Sequence, residues 1–223
     1  MYLVGQLLVD SVRHLLFTSA NMFLPWQDTN YLHELVRKAI HISLGLLICL
    51  GISNHWITPF HLFVLLVLVI LLSFISRKVK LPFINVLLKN FDRPNHFPAR
   101  GLITYLIGSI LSLELFPLPF ALASIMILAL GDGTAALARP WSKRKSSIST
   151  KHLLEESIVG VILGALGAML FVSPIQAIIA SGCAMVLEAI EVKFNNDILD
   201  DNILTPLAAG TSLLLLVKFG LFI

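Results

Sequence analysis

From residue 57 to residue 75 the chain runs without an Asp, Glu, Lys or Arg. A run of that length and polarity matches the ~17–25 apolar residues that cross a ~30 Å hydrocarbon core as a helix. The same character recurs along the chain. Seven apolar segments are expected as spans: 36–52, 57–75, 101–116, 119–138, 157–172, 175–190 and 203–221. Several are short for a full crossing at ~1.5 Å of rise per residue. No water-soluble domain of 223 residues hides a composition that is 57% hydrophobic, with a mean hydropathy of +0.89. The expected fold is all-α, a multi-pass transmembrane bundle of about seven spans. Residues 1–35 are expected as an interfacial segment, with 2–17 an amphipathic stretch on the membrane surface or else a first short span, and residues 36–223 as one membrane domain. No cleavable signal peptide is expected, because Asp10, Arg13 and His14 interrupt the first apolar run.

The basic residues sort by loop. Arg37 and Lys38 open the first segment, and a second group from Arg77 to Arg100 separates the second and third. Arg139, Lys143, Arg144, Lys145 and Lys151 separate the fourth and fifth, and Lys193 lies between the sixth and seventh. The intervening turns, 53–56, 117–118 and 173–174, carry no Lys or Arg. That asymmetry predicts a cytoplasmic N-terminus. It also places Asp132, Glu155, Glu188, Asp200 and Asp201 at or near cytoplasmic helix ends, beside the basic loops. The net charge of +3 is read loop by loop and does not imply nucleic acid. Cys49 and Cys183 fall in apolar segments, where they read as packing residues with no disulfide.

Asp132 stands in Gly131-Asp132-Gly133 inside the fourth segment. A carboxylate in a membrane helix costs at least ~2.5 kcal/mol on insertion scales and marks an ion, proton or ligand site. A pairing with Arg139 or Lys143 at its own helix end is the bland alternative. The flanking glycines weaken the helix and admit a ligand or another backbone. Asp197, Asp200, Asp201 and Asn202 give hard oxygen ligands suited to Mg²⁺, or a solvated loop with Asp201 or Asn202 capping the last helix. Glu155 and Glu156 open the fifth segment, where carboxylates also favour a helix N-terminus. Glu188 sits at the inner end of the sixth. Arg37, Lys38 and His41 open the first, with Arg37 and His41 on one face. The basic loop reads either as a topology determinant or as a phosphate clamp. Gly160, Gly164 and Ala168 form a helix-packing ladder. No Walker-type loop and no zinc spacing is present.

Taken together, Arg37-Lys38-x-x-His41, the run from Gly131 to Ala138, Glu155 with Ser157-x-x-Gly160, Glu188-Ala189-Ile190, and Asp200-Asp201-Asn202-x-Leu204-x-Pro206-Leu207 resemble the polyprenol and lipid-alcohol kinase family. That group includes dolichol kinase, phytol kinase and CTP-dependent diacylglycerol kinase. The chain departs from it at Arg139-Pro140-Trp141, where the family has glycines, and at Lys151 and Glu156, where its basic motif is out of register. The resemblance implies CTP-dependent phosphorylation of a membrane alcohol (polyprenol or dolichol, phytol, or diacylglycerol) with Mg²⁺, on the cytoplasmic side of an integral membrane protein. It implies catalytic roles for Asp132, Asp201 and Glu188. Nucleotide contacts would fall to Lys143, Lys145, Lys151, Arg37, Lys38, His41 and Asn202, and Mg²⁺ ligation to Asp132, Asp200, Asp201 and Glu155. Partners are then the nucleotide, the lipid alcohol and membrane lipids, with a homodimer left open. Two alternatives compete. A phosphatidate cytidylyltransferase would carry Lys-Asp and a Pro-Gly-His-Gly-Gly run, absent here. A transporter would use Asp132 and Glu188 as a relay.

Overall fold

The computed structural model describes residues 29–78, 98–134, 150–190, 193–194, 197–198 and 200–220. Those residues fold as seven helices: α1 (Thr29–Ser53), α2 (Pro59–Lys78), α3 (Arg100–Leu115), α4 (Leu118–Met126), α5 (Thr150–Ala168), α6 (Pro174–Ile190) and α7 (Asp201–Lys218). α4 runs on as a π-helical turn over Ile127–Asp132. Lys193–Phe194 and Asp197–Ile198 pair antiparallel between α6 and α7, the one departure from an all-α chain among the described residues. Each helix overlaps one of the seven apolar segments. The helix starts shift most at α1, which begins at Thr29 and takes in residues assigned above to the interfacial segment, and equally at α5, which begins at Thr150 rather than 157. Two helical stretches, Glu34–Ser53 and Pro59–Ser76, are long and apolar enough to cross a membrane; Leu118–Asp132, Ser157–Ala168 and Pro174–Ile190 are apolar but shorter.

α4 and its π turn form the centre and pack against α1, α3, α5, α6 and α7. Residues 121–129 are all buried, including Ala121, Ala123, Ser124 and Ala129. A helix apolar all round has no outer face, and its small side chains let neighbouring backbones come close. The Gly160–Ala168 ladder does the packing expected of it. A Cβ on Gly164 would lie 2.7 Å from Ser181 Oγ and 3.4 Å from the Gly131 Cα, and Ala168 is fully buried.

The helix ends are set by local chemistry. Pro117 and Pro119 start α4, where a missing N–H costs least. Ser73 on α2 donates to the Pro98 carbonyl, fixing the approach to α3. Asp200, rather than Asp201 or Asn202, caps α7 by accepting from the Asn202 N–H at 3.2 Å. Its closeness to the helix N-terminus explains the choice of cap. Pro206 lies inside α7 and has no N–H for the Asn202 carbonyl. That carbonyl instead faces Gly108 of α3, so closely that a Cβ there would collide with it.

Candidate functional site

Lys38 and Asp132 meet across the bundle. Lys38 Nζ donates to Asp132 Oδ1 at 2.5 Å, with the two side chains 5% and 12% exposed. Among the described residues the partner of Asp132 comes from α1; Arg139 and Lys143, the alternative partners, lie outside the described residues. The π turn ends at Asp132, and the Thr134 hydroxyl bonds back to the Leu130 carbonyl. π turns interrupt the regular i→i−4 ladder and recur at functional positions. The flanking glycines serve close packing. A Cβ on Gly131 would sit 3.1 Å from Met185 Cε and 3.4 Å from the Gly160 carbonyl, and one on Gly133 would sit 2.6 Å from Ile42.

Around this pair the first helix gathers three more polar groups. Arg37 is buried and makes a two-pronged bond to Glu34, at 2.6 and 3.0 Å. It also lies within electrostatic reach of Asp132 and Asp200. His41, one turn beyond Lys38, is 2% exposed and stands edge-on to Tyr105 of α3, with ring centroids 5.1 Å apart. Both His41 ring nitrogens and the Tyr105 hydroxyl lack a hydrogen-bond partner among the described residues. At the same end of the bundle, Arg100 Nε lies 3.5 Å from Asp200 Oδ2, and Asn202 Nδ2 donates to Thr104 Oγ1 at 3.0 Å and to the Gly101 carbonyl at 3.3 Å. Carboxylates and cations do converge on one end, as the loop pattern predicts.

The other expected residues fall as follows. Asn202 is buried and ties α7 to α3, a structural duty that the nucleotide assignment did not foresee. Asp201 is exposed in the first turn of α7, and Glu188 is half-buried near the end of α6. Lys143 and Lys145 lie outside the described residues; Lys151 and Glu155 fall on α5, outside the side chains described. Among the described residues no three His, Cys, Asp or Glu gather where they could hold a metal ion. Asp132, Asp200 and Asp201 are not gathered as such a group, and Glu155, the fourth ligand that the resemblance implies, lies outside the side chains described. Asp132 is engaged by an ammonium, and Asp200 by a helix cap and Arg100.

Sequence reasoning passed over Tyr105 and Glu34. Tyr105 carried a signal, as one of three tyrosines and a phenol inside an apolar helix, where a hydroxyl needs a partner. Glu34 carried only its position three residues before Arg37. No family model, no curated protein and no solved structure matches the chain.

Proposed function

We propose that this chain is an integral membrane phosphotransferase that moves a phosphoryl group from a nucleoside triphosphate, CTP by the resemblance of its motifs, to the hydroxyl of a membrane lipid alcohol. The observation that carries the reading is the buried Lys38–Asp132 pair at the π turn, with Arg37 and His41 beside it. A transferring phosphoryl group needs positive charge around its oxygens and alignment more than covalent help from the protein.

The membrane setting has its own support. α2 exposes Phe60, Phe63, Leu68 and Leu71 along one helix, and α5 and α6 expose Ile158, Ile162, Ile178 and Val186. Apolar surface on that scale is a liability in water and natural against lipid. We take all seven helices as spans, with the polar end toward the cytoplasm, where the basic loops fall. A nucleotide approaches that end from water, and the alcohol arrives sideways from the bilayer.

In this reading Lys38 has two partners. At rest its ammonium neutralises Asp132. An incoming triphosphate draws Lys38 and Arg37 onto its oxygens, and Asp132 is left free as a base. The alcohol oxygen then attacks the γ-phosphorus as the bond to the β-bridging oxygen breaks. The hydroxyl proton goes to the Asp132 carboxylate, and a lipid phosphate and a nucleoside diphosphate leave.

The test is label transfer. Purified protein in lipid receives γ-labelled CTP or ATP, MgCl₂ and a panel of lipid alcohols, with Asp132→Asn and Lys38→Met alongside. Labelled lipid phosphate that disappears in both variants is the expected result. Pyrophosphate release with phosphatidate, and no transfer to any alcohol, would point to the cytidylyltransferase instead. One observation favours a second reading: an ion pair and an unpartnered histidine buried together inside apolar helices also suit a proton relay. Flux across liposomes that follows a pH gradient, with no product in the label assay, would establish it.

A further inference from the structure

The polar atoms without partners are not equivalent. Besides His41 and Tyr105, the buried hydroxyls of Ser109 and Thr205 also lack one. A serine or threonine on a helix can rotate its hydroxyl toward the carbonyl four residues back. An imidazole and a phenol are too long and rigid for that escape. Yet the His41 ring and the Tyr105 hydroxyl do not satisfy each other, although the rings are in contact. Buried polar groups are almost always bonded, so an orphaned pair points to something that binds there.

The surroundings say what kind of group fits. Gly45, one turn beyond His41, has no side chain, and a Cβ there would collide with Tyr105 Oη and with the Ala129 Cβ. The phenol therefore reaches α1 only because position 45 is glycine. Lys38, a turn before His41, is neutralised by Asp132, and Arg37 by Glu34, so the described residues carry no surplus charge there to attract an anion. Ile48 and Leu106 belong to the same buried apolar cluster as Tyr105. A neutral imidazole offers one donor and one acceptor, and a phenol offers both. The complement is a small neutral group that also donates and accepts, attached to something apolar.

We infer that His41 and Tyr105 form the binding site for the hydroxyl of the lipid alcohol, between α1 and α3. This deepens the phosphotransferase reading and rests on it for the identity of the ligand. It sets the acceptor oxygen one helical turn from Lys38 on α1. The substrate class it selects is an uncharged alcohol, and it excludes lipid phosphates and fatty acids from the acceptor role.

Two variants test it, Tyr105→Phe, which removes one oxygen and keeps the ring contact, and His41→Gln, which keeps hydrogen-bonding capacity at a different reach. The probes are a C20 isoprenoid alcohol, its methyl ether and 1,2-dioleoylglycerol, with binding measured at equilibrium on protein in nanodiscs and transfer measured with labelled CTP. Wild type is expected to bind a free alcohol about tenfold or more tighter than the ether, since a site built to bond a hydroxyl rejects an analogue that cannot donate. In Tyr105→Phe the preference should fall about tenfold, on the order of one lost hydrogen bond, while the nucleotide KM stays unchanged. The empty Tyr105→Phe protein should melt no lower than wild type, because the lost hydroxyl had no partner to lose.

Equal preference in wild type and both variants overturns the inference while leaving the kinase reading intact if label transfer persists. A wild type that binds none of the alcohols, or does not distinguish alcohol from ether, also overturns it. Alcohol binding lost in Tyr105→Phe, with no transfer in wild type, keeps the hydroxyl site and refutes the kinase. A Tyr105→Phe protein that melts lower, with alcohol preference unchanged, identifies an ordered water as the partner and overturns the assignment.

Discussion

Removing one member of the Lys38–Asp132 pair should cost more than removing both. At 2.5 Å the charges attract with a gross ~7 kcal/mol at an effective dielectric constant of about 20. Desolvation of two nearly buried ions offsets most of this, so the pair's net contribution is small. A single substitution keeps the desolvation and loses the attraction. Lys38→Met and Asp132→Leu should each destabilise by about 3–5 kcal/mol, because each leaves an uncompensated buried charge. The double variant Lys38→Met/Asp132→Leu should lie close to wild type or be up to ~4 kcal/mol more stable, since well-packed apolar pairs of similar volume replace buried ion pairs with little loss. The coupling energy from the cycle should therefore be large, at least ~3 kcal/mol. Reversible unfolding in mixed micelles, followed by circular dichroism, measures all four proteins. Label transfer should be absent in the double variant although its fold is restored, which separates stability from chemistry. Additive single effects, or single effects within about 0.5 kcal/mol of zero, would refute the idea that this pair is buried and mutually dependent.

Further expectations follow from close contacts and from exposure. Gly45→Ala should destabilise by ~1–3 kcal/mol by overpacking against Tyr105 and Ala129, read as a lower unfolding midpoint. Gly210→Ala should do the same against the Phe116 ring, and a second substitution, Phe116→Leu, should recover part of the loss; no recovery would place the strain elsewhere. Cys49 is buried and Cys183 exposed on α6, so in the proposed bilayer Cys183 faces lipid. A membrane-impermeant maleimide should then label neither thiol in vesicles and both after unfolding; fast labelling of Cys183 in vesicles would contradict the lipid-facing assignment of α6.

The helices were legible because an apolar run long enough to be a helix has few other uses. Residues 57–75 announced α2 without help from context, and among the described residues α2 is also the helix with the most exposed large apolar side chains. Boundaries were less legible. α1 extends back to Thr29, across a stretch where Glu34, Arg37 and Lys38 break the apolar signal that marked its start. Those charges are tolerated there because each finds a partner in space, Glu34 for Arg37 and Asp132 for Lys38.

The site divides along the same line. Asp132 and the Arg37-Lys38-x-x-His41 group stood out because charge is expensive in an apolar segment. That Lys38 and Asp132 answer each other was not legible, since 94 positions separate them and only the packing of α1 on the π turn brings them together. Tyr105 was missed for the opposite reason, since a phenol adds nothing to a hydropathy pattern. Its meaning comes from three-dimensional facts, the bare Gly45 beside it and the imidazole it touches without bonding. Sequence thus exposes polar groups that are costly alone, and structure shows which of them have been compensated. Lys38 and Asp132 have been. Among the described residues His41 and Tyr105 have not, and that uncompensated pair beside a compensated one is the observation on which the proposed hydroxyl site rests.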